Sequence, residues 1–494
     1  MKGHLIFAIS LLLGAAINAR EPALPAGLDS GNHDDASEEP SLPSGLGGTD
    51  ESDAAAEPSL PSGLGAGADD TGRETPSPED EVPETTFVKH LLNTTNLTGF
   101  SEARLGTRTQ PDPYHDDMSI GELRLQVDAS RPVGPAYVNL TVDFLYDHEH
   151  QDHDIDLEEG DGWLDLRAAN VLFTPVYFMD VKVGRQTLTW GTGDLVFIND
   201  LFPKDWISFF IGRDDEYLKA PSDAVKISLF SDSLPNLDIV YTPRFDSDRH
   251  VEGSRLSFYN PLFGRKTGED NVISVDKPDA WFEDDELALR LFENVHGYEL
   301  AAYYYRGYWK SPAGINPLTG RFTFPELSVY GASIRGTIFA GIGYLEAGYY
   351  DSRQDRDGDN PFADNSEVRF LAGYEQELAR NLTGTFQYYI EHMLDHDAYL
   401  GALPPGFPAR DETRHTVTAR LRKELMQEKL ILSIFARYSP TDNDAYLRPT
   451  ISYEVSDNLS ATLGGNIFMG HEETTFLAQF EKNTSIYAAL RYSY

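Results

Sequence analysis

From about residue 96 to residue 494 the chain runs in short segments that alternate apolar and polar side chains, and the gaps between them alternate between short and long. In "LSATLGGNIF" one row holds Leu459, Ala461, Leu463, Gly465 and Ile467 and the other Ser460, Thr462, Gly464 and Asn466. In "TVTARLRKEL" Val417, Ala419 and Leu421 oppose Thr416, Thr418, Arg420, Arg422 and Glu424. A period of two means strands whose faces meet different surroundings. The short gaps include "SRPVGP", "TPVY", "SDSLPN", "ENVHG", "ARN", "MQE" and "SDN"; the long ones include "DHEHQDHDIDLEEGDG", 190–222, 245–285 and "DSRQDRDGDNPFADN". A soluble sandwich has no reason to keep all its tight turns at one end. A transmembrane antiparallel outer-membrane β-barrel does, with periplasmic turns and longer extracellular loops. The expectation is therefore an all-β barrel over residues 87–494 with 18 strands, or 16 if the weak segments 224–229 and 237–242 are not strands.

Composition agrees with export and with a membrane. Residues 1–19, "MKGHLIFAISLLLGAAINA", have one Lys, an apolar run and a small residue before Arg20, the layout of a signal peptide too short to stay as a membrane helix. No later run offers about 20 consecutive apolar residues, so any crossing must use strands. The chain has no Cys, which excludes disulfides and an N-terminal lipid anchor. A net charge of -40 argues against nucleic acid as a partner, while 26 Tyr and 27 Phe suit the aromatic girdles of a membrane barrel.

Residues 20–86 differ. Between 20 and 85 there are 17 acidic and 2 basic side chains among Pro, Gly, Ser and Ala, a composition that cannot bury enough apolar surface to fold. Within it "EPSLPSGLG" occurs at 39–47 and 57–65, with "EPALPAGLD" at 21–29, a step of 18 residues. An even strand number leaves this disordered arm in the periplasm. Leu24, Leu28, Leu42, Pro43, Leu46, Leu60, Pro61 and Leu64 then read as anchors for a partner groove, with three copies adding avidity. A duplicated spacer is the plainer alternative.

A barrel of about 16–18 strands leaves a water-filled lumen. The rows assigned inward are charged: Glu122, Arg124, Asp128, Asp143, Asp165, Arg167, Lys182, Arg290, Arg369, Glu375, Glu391, Arg420, Arg422, Glu424, Arg437, Arg448, Glu454 and Arg491. Both signs occur, so a channel is expected without a clear ion preference. The third external loop, "WGTGDLVFINDLFPKDWISFFIGRDDEYLKAPS", is far more apolar than the others. Facing water would be costly, so it is expected to fold into the barrel as a constriction, with Lys204, Asp205, Arg213, Asp214 and Asp215 at the narrowest point. The alternative is an external cap gripping outer-membrane lipids and lipopolysaccharide.

Two stretches carry a resemblance. The ending "TSIYAALRYSY", with Ile486, Ala488, Leu490, Tyr492 and Tyr494 alternating, resembles the C-terminal signal that outer-membrane barrels present to the barrel assembly machinery. "VGRQTLTWGTGDLVFINDLFP" resembles the GRQ…WG…D segment of an uncharacterised group of proteobacterial outer-membrane β-barrel proteins encoded beside RND/MMPL-type exporters; the matching residues are Gly184, Arg185, Gln186, Trp190, Gly191 and Asp194. The resemblance implies that Arg185, Gln186 and Trp190 belong to the lumen or constriction. It also implies that the barrel is the exit conduit of an RND-type trans-envelope system, its arm docking the inner-membrane transporter or its periplasmic partner. A stand-alone diffusion porin for small polar solutes is the other reading.

No cofactor, metal or catalytic residue is expected. His148, His150 and His153 read as part of a solvated acidic loop, and His392 and His396 have no nucleophile in their neighbourhood.

Overall fold

The computed structural model describes residues 95–149 and 154–494. The leader, the arm with its repeat leucines and prolines, His150 and His153 lie outside the described residues. Eighteen strands form one sheet: β1 (Asn96–Arg108), β2 (Met118–Val133), β3 (Ala136–Asp147), β4 (Leu164–Val176), β5 (Met179–Thr187), β6 (Pro221–Leu229), β7 (Asn236–Thr242), β8 (Glu286–Val295) and β9 (Tyr298–Tyr308) make the first half. The second half is β10 (Glu326–Ile338), β11 (Gly341–Ser352), β12 (Glu367–Ala379), β13 (Leu382–Met393), β14 (Thr413–Leu425), β15 (Leu430–Ser439), β16 (Asp444–Ser456), β17 (Leu459–Met469) and β18 (Ser485–Ser493). Each strand pairs antiparallel with its sequence neighbours, and β1 closes on β18 from Phe100↔Ser493 to Arg108↔Ser485. The sheet has no free edge, as a lipid environment demands. The weak segments at 224–229 and 237–242 are the paired strands β6 and β7, so the count is 18.

Alternation along each strand sorts the side chains. Leu105, Leu123, Phe386, Ile451, Leu463 and Leu490 stand exposed on the outside. In water each would forfeit about 1.5–3 kcal/mol of burial, so a contiguous apolar exterior of this kind fits a lipid surround. The opposite rows are charged and buried: Glu122, Arg124 and Asp143 interlock on the inner wall of β2 and β3, where Arg124 bridges both carboxylates.

Eight connections at one end are tight; at the other end the connection between β15 and β16, residues 440–443, is short too, so the expected alternation of short and long gaps fails there. The β8–β9 turn shows why the eight fit: His296 (φ 54°) and Gly297 (φ 84°) are both left-handed, the conformation that matches a two-residue hairpin to twisted strands. At the other end, residues 188–220 between β5 and β6 and residues 243–285 between β7 and β8 are the longest connections. The expectation that loops other than the third are apolar-poor and stay outside does not hold for 243–285. Phe245, Leu256 and Phe258 in that loop are buried, as are Asp246, Asp248, Arg249 and Arg255. Its apolar residues are scattered among charges whose partners sit on the barrel wall, so the loop packs through ion pairs together with isolated apolar contacts rather than through one apolar run.

Candidate functional site

Residues 188–220, the third connection at the long-loop end, fold into the barrel. Two apolar surfaces of the loop account for this. Val196, Ile198 and Phe202 join a buried cluster with Val240 of β7, Tyr305 of β9, Val329 of β10, Tyr350 of β11 and Leu371 of β12. Phe209, Phe210, Ile211 and Leu218 join a second with Phe435 of β15, Tyr446 of β16, Phe468 of β17 and Tyr487 of β18. Phe480, from the connection between β17 and β18, closes over Phe210 at 4.9 Å between ring centroids. The loop thus touches wall strands on both sides of the lumen.

The second surface is built on a short helix, α1 (Trp206–Ile211). Asp205 caps its start, accepting from Ser208 N at 2.6 Å and from Ser208 Oγ at 2.7 Å. Gly212 ends it at φ 92°, and a Cβ there would meet the Tyr487 ring at 2.4 Å. Only glycine satisfies both the left-handed backbone and the close approach.

Polar anchors fix the register of the loop. On β11 the fully buried carboxylate of Glu346 accepts four hydrogen bonds: from Asn199 N (2.8 Å), Asn199 Nδ2 (3.0 Å), Thr192 N (2.8 Å) and Thr192 Oγ1 (2.9 Å). On β13 the Gln387 amide pairs with the Asp194 backbone, accepting from its N and donating to its O, both at 2.7 Å. Arg213 donates to Glu122 of β2 at 2.6 and 2.9 Å. From the fourth connection, Arg249 bridges Asp165 of β4 (2.9 Å) and Asp205 (3.3 Å), tying both inserted loops to the wall.

Beyond Gly212 the loop turns its charged edge to open water. Asp214 is held by Arg104 of β1 and Arg491 of β18, each at 2.7 Å. Asp215 is bridged by Arg420 of β14 at 3.2 Å and by Arg448 of β16, and Glu216 by Arg491 at 3.3 Å. Arg420 also holds Asp194 at 2.8 Å. The carboxylate side chains of Asp214, Asp215 and Glu216 are 36, 47 and 54 % exposed, whereas those of Arg104 and Arg448 are 2 and 6 %. Acid therefore faces the lumen and base lies behind it. A cavity of about 240 Å³ adjoins this edge, lined further by the hydroxyls of Ser433, Thr450, Ser452 and Thr462.

Burial and pairing pull these carboxyls apart. Burial raises Asp194, and the Arg420 charge only partly offsets it; burial likewise raises Glu216 against Arg491. Burial pushes Asp214 up too, but the Arg104 and Arg491 guanidiniums outweigh it and hold this carboxyl below the usual range.

The residues singled out from the sequence fall into three groups. Asp214 and Asp215 line the cavity, with Arg213 behind them on Glu122. Lys204 and Asp205 are buried and spent internally, Lys204 on Asp200 at 3.0 Å and on the Phe202 carbonyl at 2.6 Å, Asp205 on α1 and Arg249. Trp190 packs edge-on to Phe202 at 4.9 Å, and Gln186 is buried in the inward row, donating to Ala224 O at 3.0 Å. Arg185 is buried as well, 5 % exposed, and pairs at 3.3 Å with Asp223, which stands opposite it on β6. Arg104, Arg249, Glu346 and Gln387 were missed. Glu346 had a signal, a lone charge inside the apolar "GYLEAGYY", and Arg104 continues an inward Glu–x–Arg row that matches Glu122 and Arg124 on the next strand.

No protein-family model and no curated protein matches the sequence. Among solved structures the chain is similar to OccD3 (OpdP) of Pseudomonas aeruginosa, with 9 % identity, a TM-score of 0.47, and coverage of 81 % of this chain and 91 % of that one. It is also similar to OccAB3 of Acinetobacter baumannii (9 %, TM-score 0.48, 81 % and 98 %) and to the outer membrane channel DcaP of Acinetobacter baumannii (12 %, TM-score 0.38, 81 % and 97 %).

Proposed function

We propose that the protein is an outer-membrane channel whose passage is set by the inserted third loop, with the tight turns in the periplasm and the long loops outside. The observation that carries this reading is the edge Asp214–Asp215–Glu216, exposed to the lumen and backed by Arg104, Arg420, Arg448 and Arg491. A solute passing that edge meets carboxylates first, so small polar solutes pass and cations are favoured at neutral pH. Reversal potentials in planar bilayers under a KCl gradient test it: cation preference at pH 7, reduced in Asp215→Asn. Lowering the pH neutralises Asp194 and Glu216 before Asp214, because burial has raised both while the guanidiniums hold Asp214 down, and leaves Arg420 and Arg491 less compensated. Selectivity then shifts toward anions. A selectivity indifferent to Asp215 and to pH would contradict the reading.

The sequence supports a more specific role, the exit conduit of an RND-type export system. Its support is the triplicated Pro-Leu motif and the GRQ…WG…D segment, and the partner would be an inner-membrane transporter or its periplasmic component. Deleting residues 20–85 should then leave a folded, conducting barrel that no longer co-purifies with an exporter and no longer supports export. If solute passage and growth phenotypes are unchanged by the deletion, the stand-alone channel remains.

A further inference from the structure

Below the acidic edge of the third loop the facing wall carries hydroxyls instead of charges. The inward row of β16 runs Tyr446, Arg448, Thr450, Ser452, so two hydroxyls follow Arg448 toward the tight-turn end. Register sets Ser433 of β15 opposite Thr450, and Thr462 of β17 opposite Ser452. The four hydroxyls therefore form a stepped row, with neighbours about 5 Å apart across strands and about 7 Å apart along β16.

All four line the cavity of about 240 Å³, which Asp214, Asp215 and the half-buried Leu195 bound from the loop side. Sites for drug-sized ligands occupy about 300–1,000 Å³, so this one admits a solute of about one six-membered ring. Ser452 Oγ and Thr462 Oγ1 share a hydrogen bond at 3.2 Å. The Ser433 and Thr450 hydroxyls have none among the described residues and stand open to the cavity.

The lining decides which solute fits. Asp214 is already held by Arg104 and Arg491, and Asp215 by Arg420 and Arg448. Their spare lone pairs accept O–H donors without displacing an arginine. A carboxylate would set its charge against both aspartates, and an apolar solute would leave the open hydroxyls and carboxylates unpaired. A bare ammonium would suit the aspartates and leave the hydroxyl row unused. A sugar meets every surface, with hydroxyls round its ring for the row and the edge and a C–H face for Leu195. A site that hydrogen-bonds hydroxyls also rejects analogues lacking them. We propose that this shelf is a subsite for a neutral monosaccharide, held by its hydroxyls between the loop edge and β15–β17. The proposal deepens the channel reading, on which it rests for its purpose, by naming a class of small polar solute; binding itself is tested without transport.

The test is saturation-transfer NMR on the purified full chain, in a detergent without a sugar headgroup. The probes are glucose and, as a neutral control of similar size but poorer in hydroxyls, triethylene glycol. Glucose receives saturation and triethylene glycol far less. Ser433→Ala combined with Thr450→Val weakens glucose about tenfold, the worth of two neutral hydrogen bonds. Ser228→Ala, which removes an inward hydroxyl across the barrel on β6 that donates to Asp238 at 2.6 Å, leaves glucose binding unchanged. The Ser433 and Thr450 hydroxyls bridge nothing, so the paired replacement keeps the barrel, which circular dichroism verifies. Equal saturation of the control, no saturation of glucose, or parent-like glucose binding by the paired variant overturns the proposal. A barrel that conducts no ions yet binds glucose through Ser433 and Thr450 would refute the channel reading and leave the subsite standing; one that conducts without binding glucose would do the reverse.

Discussion

Glu346→Gln should release the third loop from β11 while leaving the barrel closed. The carboxylate now receives four donors, two of them backbone N–H groups. An amide offers a single acceptor oxygen and turns an NH₂ toward the remaining donors, so at least one buried donor is orphaned and another repelled. Each such loss is worth about 1–3 kcal/mol. The barrel strands keep their ladders, since Glu346 points inward and its backbone pairs with Leu371 and Ser333 unaffected. Amide exchange should therefore accelerate over residues 192–199 and stay slow in β10–β12, and open-channel current should rise and become noisy. Unchanged protection over 192–199 would mean the apolar clusters hold the loop alone.

Arg249→Ala should be the most destabilising single substitution outside the strands. Its guanidinium is 3 % exposed and lies between Asp165 and Asp205, the second of which caps α1. Burial opposes its charge, but the two carboxylates more than compensate and hold the group firmly protonated. Removing one partner of a buried ion pair leaves uncompensated charge, a penalty of about 3–5 kcal/mol. Here two carboxylates are stranded at once, and Gly160, whose Cα sits against the guanidinium, faces a void. Thermal melts in detergent should show the drop, with Arg249→Lys recovering only part of it, because an ammonium cannot make the two-pronged contact with Asp165. A melting curve like the parent's would show that loop 4 is held by its apolar residues instead.

The barrel was legible in the sequence because lipid and lumen impose opposite chemistry on alternate residues, and rows such as Val417–Ala419–Leu421 against Arg420–Arg422–Glu424 record it directly. The inward course of the third loop was legible for the same reason: fourteen Leu, Ile, Val, Phe and Trp side chains between residues 188 and 220 have no other place to go. The fourth loop was not, because its insertion depends on Arg249 and Arg255 meeting Asp165 and Asp147, side chains more than 80 residues away that no local pattern links to them. Lys204 and Asp205 misled for a related reason. A charge next to an apolar run reads as exposed, yet both are consumed within the loop, by Asp200 and by the helix start that Asp205 caps.

The central claim is that solutes pass the charged edge of the third loop, and the chain's lack of cysteine allows a direct measurement. Asp215→Cys places one thiol at that edge, in a position nearly half exposed to the cavity. Single-channel conductance would be followed while a positively charged and then, on fresh channels, a negatively charged methanethiosulfonate is added, with mass spectrometry confirming the modification. The account predicts a stepwise change in conductance with both reagents and opposite shifts in ion selectivity. Complete modification with no change in current would place the conducting path elsewhere and contradict it.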